Sequence, residues 1–373
     1  MIPRPASLTP VRFFFLKRVW PKPSGGHKHI RLLASVLNSL GASAELVFID
    51  KPGDPDCDFG IDVPVAPFEI AVGPGIVGKN DVAVLPESYV MRYLDVIRSW
   101  PCRKAVLIQN GYFALRSRPP GGYARNGIDF AIVTTPALAS VARAALGMPG
   151  PKIITVPCWV DRAPFLPDPA GASRSPTRVC YMPRKLPGHA AGIRARVARE
   201  RPDVAWEPID GASEEDVAAA FRRSAVFLST QDKEGFGLPA IEAMNCGCLV
   251  AGYAGTGRFP HPYANPENGF WAPDRSMGRA AAQLCKALDA MQCGDETSNR
   301  IIAAGQRTAA IYSEKAFREA ARGLLAAAEG EPVPANTAPF AKLGFGGWLE
   351  ILKILVMRRS RKARGRRVPA PKA

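Results

Sequence analysis

The chain has 373 residues, 47% hydrophobic and 22% charged, with 49 basic against 33 acidic residues and a formal net charge of +16. That length exceeds one ordinary core, and the composition is that of a folded globular protein with apolar content for two. No run approaches the roughly 20 apolar residues of a spanning helix, and Lys17 and Arg18 cut Phe13-Phe14-Phe15-Leu16 off too soon for a signal peptide. Eight irregularly spaced cysteines do not make a disulfide framework, so a reducing cytoplasm is expected.

In chain order, Arg12 to Leu16 predicts a strand, followed by a Pro/Gly loop and then HKHIRLLASVLNSLG, helical in period and ended by Gly41. Strands follow at Glu45 to Ile49, Asp81 to Leu85, Ala105 to Ile108, Phe130 to Val133 and Ile153 to Val156. Thr135-Pro136 is an N-cap and first-turn pair for a helix stopped at Gly147. Residues 162–177, rich in Pro, Ala, Ser and Gly, read as an interdomain linker.

The alternation then repeats, with strands at 179–182, 204–209, 225–230 and 248–253, and Ser213 with Asp216 as a capping signature before EEDVAAAFRRSA. Strands alternating with helices mean parallel sheets covered on both faces, so each half is expected to be a doubly wound α/β domain. Such sheets bind ligands at the carboxyl ends of their strands, here in a crevice where the domains face. The boundaries are placed at 1–165, 166–330 and a tail at 331–373.

EGFGLPAIE, residues 234–242, lies at the carboxyl end of AVFLST. Pro239 suits a helix's first turn, and Gly235 and Gly237 let the backbone approach a ligand closely or take positive φ. Free amides at a helix start form an anion site. Glu234 falls in the loop and Glu242 about one turn into the helix, so the carboxylates face different parts of an extended ligand. Paired hydroxyls suit carboxylates, and a phosphate cradle between them describes a nucleotide sugar. The alternative is a surface helix with two solvated glutamates.

The stretch STQDKEGFGLPAIEAMNCGCLVAGYAGTG, Ser229 to Gly257, resembles the signature of retaining GT-B glycosyltransferases of family 4: a Glu-x7-Glu pair, an "EAM-x-CG" helix and a later glycine loop. PSGGHKHIRLLASVLNSLG, VPCWVDRAPFLP and CYMPRK resemble, in order, that family's first glycine loop, the end of its first domain and the basic pair opening its second. The resemblance implies a GT-B fold, two Rossmann-like domains facing across a cleft, and metal-independent transfer of a hexose from a nucleotide-diphosphate sugar without a cofactor. It places Glu234 at the hexose, Glu242 at the ribose, and Arg184 and Lys185 at the diphosphate. Gly25 and Gly26 approach the phosphates, and Gly235 and Phe236 supply amides. The sequence departs from the family twice. Position 189 is His where a lysine is common, which leaves Lys185, and Gln109-Asn110-Gly111 stands where many members have a histidine, so Asn110 would hydrogen-bond the same hydroxyls without acting as a base. The acceptor is expected to be a glycan or a lipid-linked cell-envelope molecule.

Other motifs are quieter. GPGIVG, Gly73 to Gly78, matches a dinucleotide fingerprint but runs into a strand and not a helix, and reads as a turn. Asp54-Pro55-Asp56-Cys57-Asp58 reads as a solvated acidic loop and not a metal site. Cys246-Gly247-Cys248 reads as buried thiols, Trp206 as core, and His27 and His29 as solvated helix-start residues.

The C-terminal stretch joins Trp348, Leu349, Leu352, Leu355 and Val356, which could share one helical face, to eight basic and no acidic residues over 358–373, half of the net charge. Residues 343–367 would either pack back on the first domain or lie on an anionic membrane, placing the protein peripherally on the cytoplasmic face; the membrane is favoured, because lipid-linked acceptors would be met there, and nucleic acid is the weaker reading. Two other functions fit the architecture: a nucleotide-sugar epimerase, and a non-catalytic membrane-associated envelope-assembly protein.

Overall fold

The structure is a computed structural model that describes residues 10–49, 56–67, 76–160, 163–167, 174–294, 296–330 and 342–363, with side chains to Met357 in the last segment. The chain divides into two compact units: Met1–Val156 with Arg318–Ala341 and Ile351–Ala373, and Pro157–Phe317 with Lys342–Glu350. The sequence reading placed that first boundary at 165/166 and kept the C-terminal segment apart.

In the first unit seven strands form one parallel sheet: β1 Arg12–Lys17, β2 Ser43–Phe48, β3 Val65–Pro67, β4 Val82–Pro86, β5 Arg103–Ile108, β6 Phe130–Val133 and β7 Ile153–Thr155. Their order is β3-β2-β1-β4-β5-β6-β7. All five residues of β4 and all four of β6 are buried, as unbroken apolar runs require when helices cover both faces. The helices are α1 Gly25–Ser39, α2 Val90–Arg98, α3 Gly111–Arg116 and α4 Pro136–Ala145. Thr135 caps α4 as read, its Oγ1 accepting from Leu138 N at 3.2 Å.

The second unit holds β8 Ser175–Tyr181, β9 Ala205–Pro208, β10 Ser224–Thr230, β11 Leu249–Tyr253 and β12 Phe270–Ala272, in the order β12-β11-β10-β8-β9, all parallel. Its helices are α5 Pro187–Glu200, α6 Glu214–Arg223, α7 Leu238–Asn245, α8 Met277–Cys293 and α9 Glu296–Ala310. Every residue of β10 is buried. Phe227 joins one apolar cluster with Phe221, Ile241 and Met244, whereas Val226 and Leu228 join another with Leu284 and Leu288. Alternating side chains of the central strand thus feed a core on each face. The doubly wound α/β class holds for both units.

Several expectations change. β3 and β12 were not foreseen; each is a three-residue edge strand, too short to show a pattern and specified by its neighbour's ladder. The linker read at 162–177 includes the start of β8, and Arg174, just before that strand, donates to Phe221 O, Ser224 O and Cys246 O. Phe165 is buried in that stretch, packed against Phe221 and accepting at its carbonyl from Asn245. The acidic loop is not solvated at Asp56. Its carboxylate meets Lys17 at 2.5 Å and Arg31 at 2.7 Å, all three side chains being buried. Burial works against the charged carboxylate, but the hydrogen bonds from Lys17 and Arg31 hold Asp56 below its usual pKa. His29 is buried outright, and burial lowers its pKa to about 4. Asp54, Pro55 and Gly73 to Gly75 lie outside the described residues.

Among the described residues two further helices follow, α10 Glu314–Ala328 and α11 Gly344–Ala363. Within the first unit, Arg103 donates to Ala327 O at 2.6 Å and Arg318 to Ser39 Oγ at 2.8 Å. On α11, Trp348, Leu349, Leu352 and Val356 are exposed as a group, but Phe345 joins them and Leu355 is half-buried. The side chains of the basic run 358–373 lie outside the described residues. Among the described residues no helix is long and apolar enough to cross a membrane.

Candidate functional site

In the second unit the strand order reverses between β8 and β10: β9 follows β8 on one side, whereas β10 returns on the other. The loops leaving two such strands diverge, opening a crevice at their carboxyl ends. The turn after β8 carries Arg184 and Lys185, and the loop after β10 carries Glu234. Lys185 Nζ lies 2.7 Å from Glu234 Oε1. Residues 49 apart in sequence meet because topology puts their loops across one crevice. Arg184 is exposed in the same turn.

The loop from Gln231 to Gly237 is held from three sides. Glu234 N donates to Gly255 O at 2.8 Å. Asp232 pairs with Arg275 at 2.5 Å, and although burial opposes it, Arg275 keeps that carboxylate below its usual pKa. Gly237 O accepts from Gln231 Nε2 at 3.3 Å and from the Tyr263 hydroxyl. Gly237 has φ +86°, and a Cβ there would lie 2.1 Å from Gln231 Oε1. Gln231 Oε1 is buried without a hydrogen-bond partner against that glycine.

Helix α7 starts immediately after, with Gly237 as an N-cap that supplies no side chain and Pro239 in the first turn. Its first amides are left without a side-chain cap and carry the helix's partial positive charge. Phe236 points the other way, buried against Tyr263 and Tyr312 at ring separations of 5.3 and 4.9 Å. Its side chain anchors the loop and only its backbone is available to a ligand. Glu242 is buried at 8% exposure on α7. Burial first, then the charges of Tyr312, Glu234 and Glu242, push the Tyr263 phenol well up.

A second tier, missed in the sequence, supports the glycine loop after β11. Gly255 N and Gly257 N donate to Asp274 at 2.8 and 2.6 Å. Burial nonetheless raises the Asp274 pKa. His261 Nδ1 accepts from Tyr263 N and Ala264 N, which fixes the proton on Nε2 facing Ala254 O at 3.0 Å. Burial lowers its pKa to about 4, keeping the ring neutral. His189, standing where a lysine is common, contacts the Tyr253 hydroxyl through Nδ1 at 3.0 Å. Asp274 and His261 lie in irregular loops with no periodic signal, whereas His189 sits in the first turn of α5.

The remaining predicted residues belong to the first unit. Gly25 and Gly26 open α1, beside the carboxyl end of β5, where Gln109 Nε2 donates to Gly26 O at 2.9 Å. A Cβ on Gly26 would lie 2.8 Å from Gln109 Oε1, so the glycine permits this close packing. Asn110 is a helix cap. Its Oδ1 caps α3, accepting from Tyr112 N at 2.9 Å and Phe113 N at 3.3 Å. Its backbone N donates to Glu87 Oε1 at 3.0 Å. Glu87 is a missed carboxyl at the end of β4; burial raises its pKa to about 7 against three backbone hydrogen bonds. Among the described residues no three His, Cys, Asp or Glu side chains group closely enough to hold a metal ion.

Residues 209–308 match the family model described as "Glycosyl transferases group 1". An alpha-1,6-glucosyltransferase of Actinobacillus pleuropneumoniae serotype 7 (strain AP76) is 26% identical over 133 residues, 34% of this chain and 40% of that one. The chain therefore spans less than half the length of this curated relative. Among solved structures, the pneumococcal O-GlcNAc transferase GtfA in complex with UDP and GlcNAc aligns with TM-score 0.64 at 12% identity, over 86% of this chain and 99% of that one. TarM aligns with TM-score 0.63 at 9% identity (85% and 99%), and sucrose-phosphate synthase from Thermosynechococcus elongatus with 0.61 at 14% (85% and 100%). The fold is that of GT-B glycosyltransferases, and the family match on the second unit supports a glycosyltransferase.

Proposed function

We propose that this protein is a retaining, family 4-like glycosyltransferase that moves a hexose from a nucleotide-diphosphate sugar to a glycan or lipid-linked cell-envelope acceptor. The meeting of Lys185 and Glu234 at the switch point of the second sheet carries the reading. A cation for the diphosphate and a carboxylate for the hexose hydroxyls converge there, beside an uncapped helix start fit for a phosphate. Glu242 would take the ribose hydroxyls. The buried Gln231 Oε1 is an acceptor for a donor group arriving at Gly237. Arg184 would join Lys185 in neutralising the leaving diphosphate, the task a divalent cation performs in other transferases, so no metal ion is required.

In this account the acceptor attacks the face from which the diphosphate departs, and the leaving phosphate takes the acceptor's proton. The protein stabilises charge growing on that phosphate through Arg184, Lys185 and the amides of α7. With its oxygen on the α3 amides, Asn110 would present its Nδ2 donors to the sugar hydroxyls. The relative solved with UDP makes UDP-sugars the first donors to try. Synthesis from such donors would place the protein on the cytoplasmic side.

The test is incubation with UDP-glucose or UDP-N-acetylglucosamine and extracted glycolipid, reading the anomeric proton of the product by NMR. An α-linked product supports the proposal. A β-linked product would overturn retention, and interconversion of the nucleotide sugar without acceptor would assign an epimerase instead.

A further inference from the structure

The C-terminal helix α11 has two apolar faces. Ile351 and Ile354 are buried at 4% and 6% exposure, so one face is used for packing. On the opposite side Phe345, Trp348, Leu349 and Leu352 are 85%, 52%, 41% and 58% exposed. Their spacings of three, four and seven put them in one stripe along the helix. Among the described residues, six of the twelve exposed large hydrophobic side chains fall between Phe345 and Met357. Scattered surface leucines need no explanation, but a contiguous stripe with an aromatic at its centre does.

We propose that this stripe docks α11 flat on an anionic lipid bilayer, with Phe345, Trp348, Leu349 and Leu352 entering the interface. Charge selects this occupant. The sequence continues directly into eight basic and no acidic residues over 358–373, and Glu350 is the one acid between 342 and 357. Two copies of the chain meeting through this stripe about a two-fold axis would bring like charges together, whereas acidic headgroups attract them. Tryptophan favours the boundary between headgroups and acyl chains, and one short stripe plus a basic cluster gives reversible binding and not insertion. The surface would present the enzyme to lipid-linked acceptors, but its binding does not depend on the donor site.

Co-sedimentation with vesicles of phosphatidylcholine alone, or mixed with phosphatidylglycerol, tests this. The wild type should sediment with the anionic vesicles and be released by salt. The double variant Trp348→Ser/Leu352→Ser, and separately a variant with Arg358, Arg359, Arg361 and Lys362 changed to Gln, should each bind at least about tenfold more weakly. Circular dichroism melting and nucleotide-sugar titration should be unchanged in both, which separates this claim from the donor assignment. Absence of vesicle binding would overturn the proposal. So would loss of binding in the basic-residue variant alone, or a wild-type dimer that the stripe variant converts to monomer.

Discussion

Replacing Gly237 with alanine probes the loop on which the proposed donor site depends. At φ +86° an L-residue pays about 1–2 kcal/mol. The new methyl would lie 2.1 Å from Gln231 Oε1, so the buried amide must move and give up its bond to Gly237 O, about 1 kcal/mol more. The total is a destabilisation of about 2–3 kcal/mol. Urea unfolding should show it as a lower midpoint at unchanged slope, with the transitions of the two units fitted separately. Gly255→Ala should cost more, because at φ +89° its Cβ would lie 2.5 Å from Gln231 Cβ and 3.1 Å from the Gln231 backbone, where no flexible tip can yield. Gly188→Ala, in the first turn of α5 with nothing within 4 Å, is the control and should cost nothing or stabilise by up to about 1 kcal/mol. A loss below about 0.5 kcal/mol at Gly237, or a smaller cost at Gly255 than at Gly237, would refute the reasoning.

Two further outcomes follow from the same geometry. The Lys185–Glu234 pair is partly exposed, at 39% and 21%, and worth at most about 1 kcal/mol to stability. Lys185→Met should therefore leave unfolding unchanged while lowering turnover about a hundredfold; equal turnover would remove Lys185 from the mechanism. Glu87, raised from 4.5 to about 7, is protonated in the folded state where the unfolded chain is ionised. Its contribution is present below 4.5 and lost as pH rises through about 7, on the order of 3 kcal/mol in all. Glu87→Gln should flatten that part of the pH dependence in urea midpoints, and an unchanged profile would contradict the buried, protonated state.

Much of this was legible in the sequence for identifiable reasons. Unbroken apolar runs such as Phe130 to Val133 declare buried parallel strands, and Thr135 and Ser213 declare helix starts through side chains that cap them. The pair Glu234 and Lys185 was reachable by resemblance and its meeting by topology. The tier around it was not legible. Asp274, His261 and Tyr263 act through backbone amides and carbonyls of irregular loops, which leave no spacing to recognise. Asp56 was misread because acidity in a Pro/Gly-rich stretch suggests solvent, whereas Lys17 and Arg31 reach it from β1 and α1. Asn110 was placed by position in a family pattern, and that pattern carries no sign of the cap its oxygen provides to α3.

The account rests on a nucleotide sugar being held by the loop and helix spanning residues 234 to 242, and calorimetric titration with UDP-, GDP- and dTDP-sugars measures that directly. Glu242→Gln keeps the side chain's shape and removes its charge, so the wild type should bind one donor class saturably and the variant about tenfold to a hundredfold more weakly, the worth of a charged hydrogen bond. Equal affinity in both proteins, or no heat with any nucleotide sugar, would contradict it.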